Sequence, residues 1–155
     1  SRGLGDVYKR QDLRDPGLLP PGRFRLAVSN PPYFPPGAGA VAPDAARRTA
    51  RAETDCTLSQ LCAAASRALT WGGSFCLVHR PDRLADVMEE LRRVRLEPKR
   101  LRFVHHTAAA SPSLFLLEAR LGGRPGLTAE PPLLLRGPDS GETEDVRRAY
   151  FRDKE

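Results

Sequence analysis

Two kinds of apolar pattern follow one another along the chain. RFRLAVSN (Arg23–Asn30) has a short apolar core after the turn LPPG, and SFCLVH (Ser74–His79) is a second short apolar run. Both predict buried strands. Between them, leucine and alanine recur at helical spacing, which predicts a helix from Arg47 to Leu69 that WGG (Trp71–Gly73) ends.

The second half of the chain continues this alternation. RPDRLADVMEELRRV (Arg80–Val94) predicts an amphipathic helix with Pro81 in its first turn. KRLRFVHH (Lys99–His106) and SLFLLEARLGG (Ser113–Gly123) predict two strands that form an antiparallel hairpin, and the charged tail predicts a short helix. We therefore predict an α/β fold whose sheet is mostly parallel, with an antiparallel edge formed by this terminal hairpin.

Composition narrows the class of protein. The 155 residues suit one domain, and no apolar run approaches the roughly 18 residues of a membrane span. We expect a soluble, cytoplasmic monomer with no membrane partner. Cys56, Cys62 and Cys76 lack metal-ligand spacing, so we expect reduced, buried thiols and no metal. The net charge of +6 suggests nucleic acid as a partner, but an arginine-rich composition typical of a GC-rich genome explains it nearly as well.

The candidate chemistry lies in Asn30-Pro31-Pro32-Tyr33, at the end of the first predicted strand. Two prolines make a rigid turn whose carbonyls accept hydrogen bonds without a competing N–H. The asparagine oxygen is a further acceptor, and the tyrosine ring can stack on a flat group. Together they suit a planar NH2 group, because accepting both its hydrogens aims the nitrogen lone pair at an electrophile.

This motif resembles the [DNS]-P-P-[YFW] signature of S-adenosylmethionine-dependent N-methyltransferases. With VSNPPYF, HRPDRL, LEPKRLRFVH and LFLLEARLGG, the stretch from Asp12 to Tyr150 resembles the C-terminal two thirds of the bacterial tRNA1(Val) adenine-37 N6-methyltransferase family. The resemblance implies the C-terminal part of a Rossmann-like class I methyltransferase sheet, S-adenosyl-L-methionine as cofactor and tRNA as substrate.

The resemblance also implies roles for single residues. Asn30 and the Pro31 carbonyl would accept from the target amine, with Pro32 completing the catalytic turn. Tyr33 would stack on the base, beside Phe34.

The implied cofactor contacts are fewer. Asp12 would accept from the adenine amine of the cofactor, which Asn30 would also border. The family's G-x-G-x-G loop follows no predicted strand here, and GAGA (Gly37–Ala40) comes after the catalytic turn. We therefore expect this chain to bind the cofactor very weakly and to be inactive alone.

The N-terminus has a separate explanation. DVYKRQ (Asp6–Gln11) is the translation of an adapter used in transposon-based sequencing libraries. We expect residues 1–11 to be an artefactual tail, and residues 12–155 to be the C-terminal portion of one methyltransferase domain in an N-terminally truncated metagenomic fragment.

Several alternatives stay open. His79 and Arg80 either pack and cap a helix or contact substrate RNA. The cluster Arg92, Arg93, Arg95, Lys99, Arg100 and Arg102 either follows a tRNA backbone or is a solvated surface. The methyl acceptor could instead be ribosomal RNA, DNA or protein glutamine. Alternatively, the chain is a non-catalytic RNA-binding module.

Overall fold

The computed structural model describes residues 15, 17–30, 58–139 and 141–150. Within these residues, six strands form one sheet in the order β1-β2-β4-β3-β5, with β6 also paired to β3. Their bounds are β1 (Phe24–Ser29), β2 (Leu69–His79), β3 (Leu96–His105), β4 (Pro112–Leu121), β5 (Thr128–Ala129) and β6 (Leu133–Leu134).

Three α-helices accompany the sheet in this part of the chain. The described part of α1 spans residues 58–68 and leads directly into β2. A 3-10 turn (Pro81–Arg83) precedes α2 (Leu84–Arg93), whose Val87 and Leu91 are buried. The short α3 (Glu144–Ala149) begins at Thr143, whose hydroxyl accepts the Val146 N–H at 3.4 Å. The predicted helix at Arg80–Val94 is therefore confirmed, as is the short helix in the tail.

Strand direction agrees with the prediction, but strand order does not. β1 and β2 are parallel, and β4 is antiparallel to both β2 and β3. Five strands therefore run one way and β4 runs the other. The hairpin of β3 and β4 is confirmed, but β4 lies inside the sheet between β2 and β3 rather than at the edge. Consequently the two most extensive strand pairs are antiparallel. The sheet is mostly parallel in the sense that five strands share one direction, but most of its strand pairing is not.

The hydrophobic core lies between one face of the sheet and helices α1 and α2. Phe75 and Leu77 from β2 pack with Phe115 and Leu117 from β4, and all four are at most 3% exposed. Cys62 of α1 is fully buried in this cluster. Burial, followed by the nearby charge of Glu90, raises the pKa of its thiol to about 12, so Cys62 is an inert core residue.

Two predictions about the strands were wrong. Trp71–Gly73 does not end the helix, because the helix ends at residue 68 and this tripeptide belongs to β2. β1 is not buried, since Leu26 is 57% and Val28 73% exposed. Leu26 and Val28 alternate with Ala27, which packs against the core, and within the described residues β1 is paired on one side only.

Candidate active site

The carboxyl ends of β1, β2 and β3 meet at one end of the sheet, which we call the carboxyl end. Ser29 pairs with Leu77, so Asn30 follows β1 beside the last two residues of β2. His79 ends β2 and pairs with Phe115 of β4. In open α/β sheets, ligands bind at this end of the strands. The fold thus brings Asn30 and His79 to the same region, with Asn30 exposed and His79 buried.

Much of the predicted site lies outside the described residues. Asp12, Pro31, Pro32, Tyr33 and Phe34 fall there, so their roles remain predictions. Cys56 and the GAGA segment fall there as well. Asn30 is the one predicted catalytic or cofactor-binding residue that lies within the described part of the chain.

His79 is a packed residue rather than a surface cation. It is 4% exposed, and its ring stacks on Phe115 with centroids 6.3 Å apart. The backbone N–H of Arg80 donates to His79 Nδ1 at 2.9 Å, so the neutral ring carries its proton on Nε2. Burial, together with the charge of Arg83, lowers the pKa of His79. These contacts favour packing over direct contact with a phosphate.

Arg80 is the exposed member of this pair. Its guanidinium donates to both carboxylate oxygens of Asp82, at 3.1 and 2.8 Å. The two side chains are 44% and 58% exposed. Such an exposed ion pair contributes little to stability, so an incoming phosphate could replace the Asp82 carboxylate at small cost.

A cavity of about 390 Å³ lies on the face of the sheet opposite the core helices. Its floor includes Cys76 and Val78 of β2 and Leu116 of β4, and Ser29 lies at its border. Burial, followed by the charge of Glu118, raises the pKa of the Cys76 thiol. A protonated thiol at this position behaves as a small apolar residue.

A polar network forms the other wall of the cavity. Arg100 Nε donates to Glu118 Oε2 at 2.5 Å, and Arg100 Nη1 donates to Glu130 Oε1 at 3.1 Å. Ser74 Oγ donates to the second Glu118 oxygen at 3.0 Å. The bond from Arg100, more than any other contact, lowers the pKa of Glu118. Sequence reasoning missed this network, although the alternation of Arg100 and Arg102 on one strand could have indicated it.

The basic cluster named from the sequence has partners within the protein. Arg92 pairs with Glu97 at 3.2 Å, and Arg93 pairs with Glu89 and Glu90 at 3.0 Å. The remaining members are also engaged: Arg95 lies over Trp71, Lys99 Nζ donates to the Arg124 carbonyl, Arg100 contacts Glu118 and Glu130, and Arg102 contacts Asp145. These contacts favour the solvated surface over a continuous track for tRNA.

Two absences hold for the described residues. His105 Nδ1 lies 2.7 Å from the Ala110 carbonyl oxygen, and no group of three or more His, Cys, Asp or Glu side chains is placed to hold a metal ion there. No helix in the same ranges has the length and apolar character needed to cross a membrane.

Comparison with known proteins identifies the fold. No protein-family model and no curated protein matches the sequence. Among solved structures, a predicted O-methyltransferase from Agrobacterium tumefaciens is 23% identical, with a TM-score of 0.66 over 91% of this chain and 57% of that chain. A candidate DNA modification methylase from Thermus thermophilus, crystallised with S-adenosyl-L-methionine, is 16% identical, with a TM-score of 0.57 over 88% of this chain and 56% of that chain.

These likenesses concern the fold alone, because the identities are below 25%. The chain spans little more than half the length of the structures that it matches. The predicted Rossmann-like methyltransferase fold is confirmed: this chain has the architecture of a substantial part of those two proteins.

Proposed function

We propose that the chain is the base-binding part of an S-adenosylmethionine-dependent N-methyltransferase that modifies adenine N6 in tRNA of the tRNA1(Val) type. The observation that carries the proposal is the position of Asn30. This residue is exposed at the carboxyl end of β1, beside the parallel strand β2, and begins the Asn-Pro-Pro-Tyr motif. The likeness of the fold to methyltransferases supports this assignment.

The chemistry requires positioning more than a strong base. The Asn30 amide oxygen and the Pro31 carbonyl each accept one hydrogen of the exocyclic amine, which directs its lone pair out of the ring plane. S-adenosyl-L-methionine supplies an electrophilic methyl group on a sulfonium. The amine nitrogen forms the new bond to this methyl carbon as the carbon–sulfur bond breaks, and the extra proton on nitrogen leaves to solvent. Tyr33 and Phe34 hold the base flat during the transfer.

The described residues do not themselves form the pocket for the methionine end of the cofactor. β2 is followed by Arg80-Pro81 and β3 by His106-Thr107, and neither sequence has the glycines of a phosphate- or methionine-binding loop. Asp12 and Asn30 are the two cofactor contacts that we propose. The 155-residue chain should therefore bind the cofactor very weakly and show no turnover alone.

The experiment measures transfer of a labelled methyl group. The reading frame is extended with upstream coding DNA from an independent assembly, and the product is tested on tRNA, ribosomal RNA, DNA and a glutamine-containing peptide. We expect tRNA to be methylated, and Asn30→Ala to lower the rate by about 100-fold or more, comparable to the loss of an oxyanion-hole donor. His106→Ala, at the same end of the sheet, should keep the rate.

Each other outcome has a definite meaning. If DNA, ribosomal RNA or glutamine is methylated and tRNA is not, that polymer is the methyl acceptor and the tRNA assignment is overturned. An unchanged rate in Asn30→Ala would leave the non-catalytic RNA-binding module as the better account. Turnover by the 155-residue chain alone would contradict its assignment as an incomplete cofactor site.

A further inference from the structure

Several exposed arginines and one tryptophan lie at the end of the sheet opposite Asn30, where β1 and β2 begin. The Arg23 N–H donates to the Ala68 carbonyl at 2.9 Å, and the Gly22 N–H donates to the Arg67 carbonyl at 2.8 Å. These two bonds hold the start of β1 against the end of α1. They bring the backbone of residues 22 and 23 next to that of residues 67 and 68, and both Arg23 and Arg67 are exposed.

A bulge at the start of β2 adds Trp71 to this surface. Phe24 pairs with Leu69 and Leu26 with Ser74, so residues 70–73 of β2 lie opposite Arg25 alone. The extra residues make Trp71 protrude, and it is 66% exposed. We define the amino-end patch as Trp71 with Arg23, Arg25, Arg67, Arg95 and Arg120.

Arg95, just before β3, and Arg120 of β4 complete the patch. The Arg95 guanidinium carbon lies 4.8 Å from the centroid of the Trp71 ring, and the Gly122 N–H donates to the Arg95 carbonyl at 2.9 Å. Arg120 of β4 pairs with Ser74 of β2. Its neighbour on β3 is Glu97, whose carboxylate is already bonded to Arg92.

The patch arginines differ in ion pairing from four other arginines of the described surface. Arg92, Arg93, Arg100 and Arg102 all form salt bridges to carboxylates. Within the described ranges no salt bridge reaches the amino-end patch, whose arginines are all exposed. Arg120 contributes to lowering the pKa of Glu118, whose carboxylate is already bonded to Arg100. Positive charges without a salt-bridge partner repel each other, and this repulsion is relieved when a polyanion binds.

We propose that the amino-end patch binds the sugar–phosphate backbone of a nucleic acid at a second surface, separate from the Asn30 site. Guanidinium groups suit phosphate because they donate two parallel hydrogen bonds. Five residues separate Ser74, which pairs with Arg120, from His79 at the carboxyl end. At about 3.3 Å per strand residue the two surfaces are roughly 17 Å apart, and this corresponds to about five base pairs. A structured nucleic acid can therefore reach both surfaces at once.

This inference rests on charge geometry and extends the proposed function without depending on methyl transfer. The test measures equilibrium binding of the whole 155-residue chain to a fluorescent tRNA transcript, and to a DNA duplex of equal length, between about 50 and 200 mM salt. The variant Arg25→Gln/Arg120→Gln removes two positive charges that form no salt bridge within the described residues. We expect it to weaken binding at low salt and to reduce the slope of log K against log salt by about two.

The control variant is Arg93→Gln/Arg148→Gln. It changes the net charge by the same amount, but both arginines are paired with glutamates, Arg93 with Glu89 and Glu90 and Arg148 with Glu144. The slope of log K against log salt should stay the same in this variant. Thermal melts establish that both variants are folded. The relative affinities for tRNA and DNA show which backbone is preferred.

Three results would overturn the proposal. These are an equal loss of slope in both double variants, an unchanged slope in Arg25→Gln/Arg120→Gln, and competition by polyglutamate as effective as by RNA of equal charge. The binding assay involves no methyl transfer, so failure of the methylation experiment with binding intact would count against the catalytic proposal alone.

Discussion

The indole ring of Trp71 lies so close to Gly122 that a Cβ at position 122 would overlap three atoms of its six-membered ring. Gly122 also has a φ of 69°, in the left-handed region. Both features require glycine at this position. We expect Gly122→Ala to lower the free energy of unfolding by about 2 to 4 kcal/mol, from backbone strain and from displacement of the indole.

Gly22 provides the matched control, because its φ is 65° and a Cβ there would meet no atom within 4 Å. Gly22→Ala should lower the free energy of unfolding by about 1 kcal/mol, which is the effect of backbone strain without any overlap. Urea denaturation measures both variants. Equal losses would mean that the overlap with Trp71 has no energetic consequence.

Arg95 is a non-glycine residue with a φ of 65°, just beyond Val94 at the end of helix α2. Arg95→Ala loses the contact with Trp71 and keeps the unfavourable backbone, whereas Arg95→Gly loses the same contact and relieves the backbone. We expect Arg95→Gly to be the more stable variant by about 1 kcal/mol in chemical denaturation. Equal midpoints for the two variants would contradict this interpretation.

Glu118 accepts hydrogen bonds from Arg100 and Ser74. The pKa of Glu118 is lowered in the folded state, so its carboxylate stabilises the fold. This stabilisation is complete above the pKa of an unfolded glutamate and is lost as pH falls through the folded pKa. We expect Glu118→Gln to lower the free energy of unfolding by about 1 kcal/mol at pH 7, and by less at about pH 3. In contrast, Glu89→Gln, in an exposed pair with Arg93, should have little effect. A loss for Glu118→Gln that does not depend on pH would disprove the role of its charge.

Burial of His79 should cause a second loss of stability as pH falls. This loss should begin at a higher pH than the loss that Glu118 causes. The pKa of His79 is lowered by burial, so as pH falls below about 6.5 the unfolded chain takes up the proton first and the folded state loses stability. We expect His79→Gln to flatten the fall in unfolding free energy between about pH 7.5 and pH 5, even though it removes the acceptor for the Arg80 N–H. The slope should persist in the control His106→Gln, where the side chain is exposed. If the unfolding free energy of His79→Gln falls with pH as steeply as that of the original chain, His79 is excluded as the source of this pH dependence.

The sequence by itself determined the local elements. Helix α2 follows from the spacing of Val87 and Leu91, with Pro81 at the start of the preceding turn, and the hairpin of β3 and β4 follows from two apolar runs joined by a short loop. The position of Asn30 at a strand end was predicted in the same way. These features depend on residues close together in the chain, where side-chain period and turn chemistry act directly.

Only the tertiary structure decided which distant residues meet. It placed β4 between β2 and β3, left Val28 exposed, joined Arg100 to Glu118 and set Trp71 against Gly122. Strand order and ion pairing depend on contacts between segments 18 to 51 residues apart, and no local period encodes such contacts. The same charged residue can be a solvated cation or half of a salt bridge, and the neighbour that the fold provides determines which.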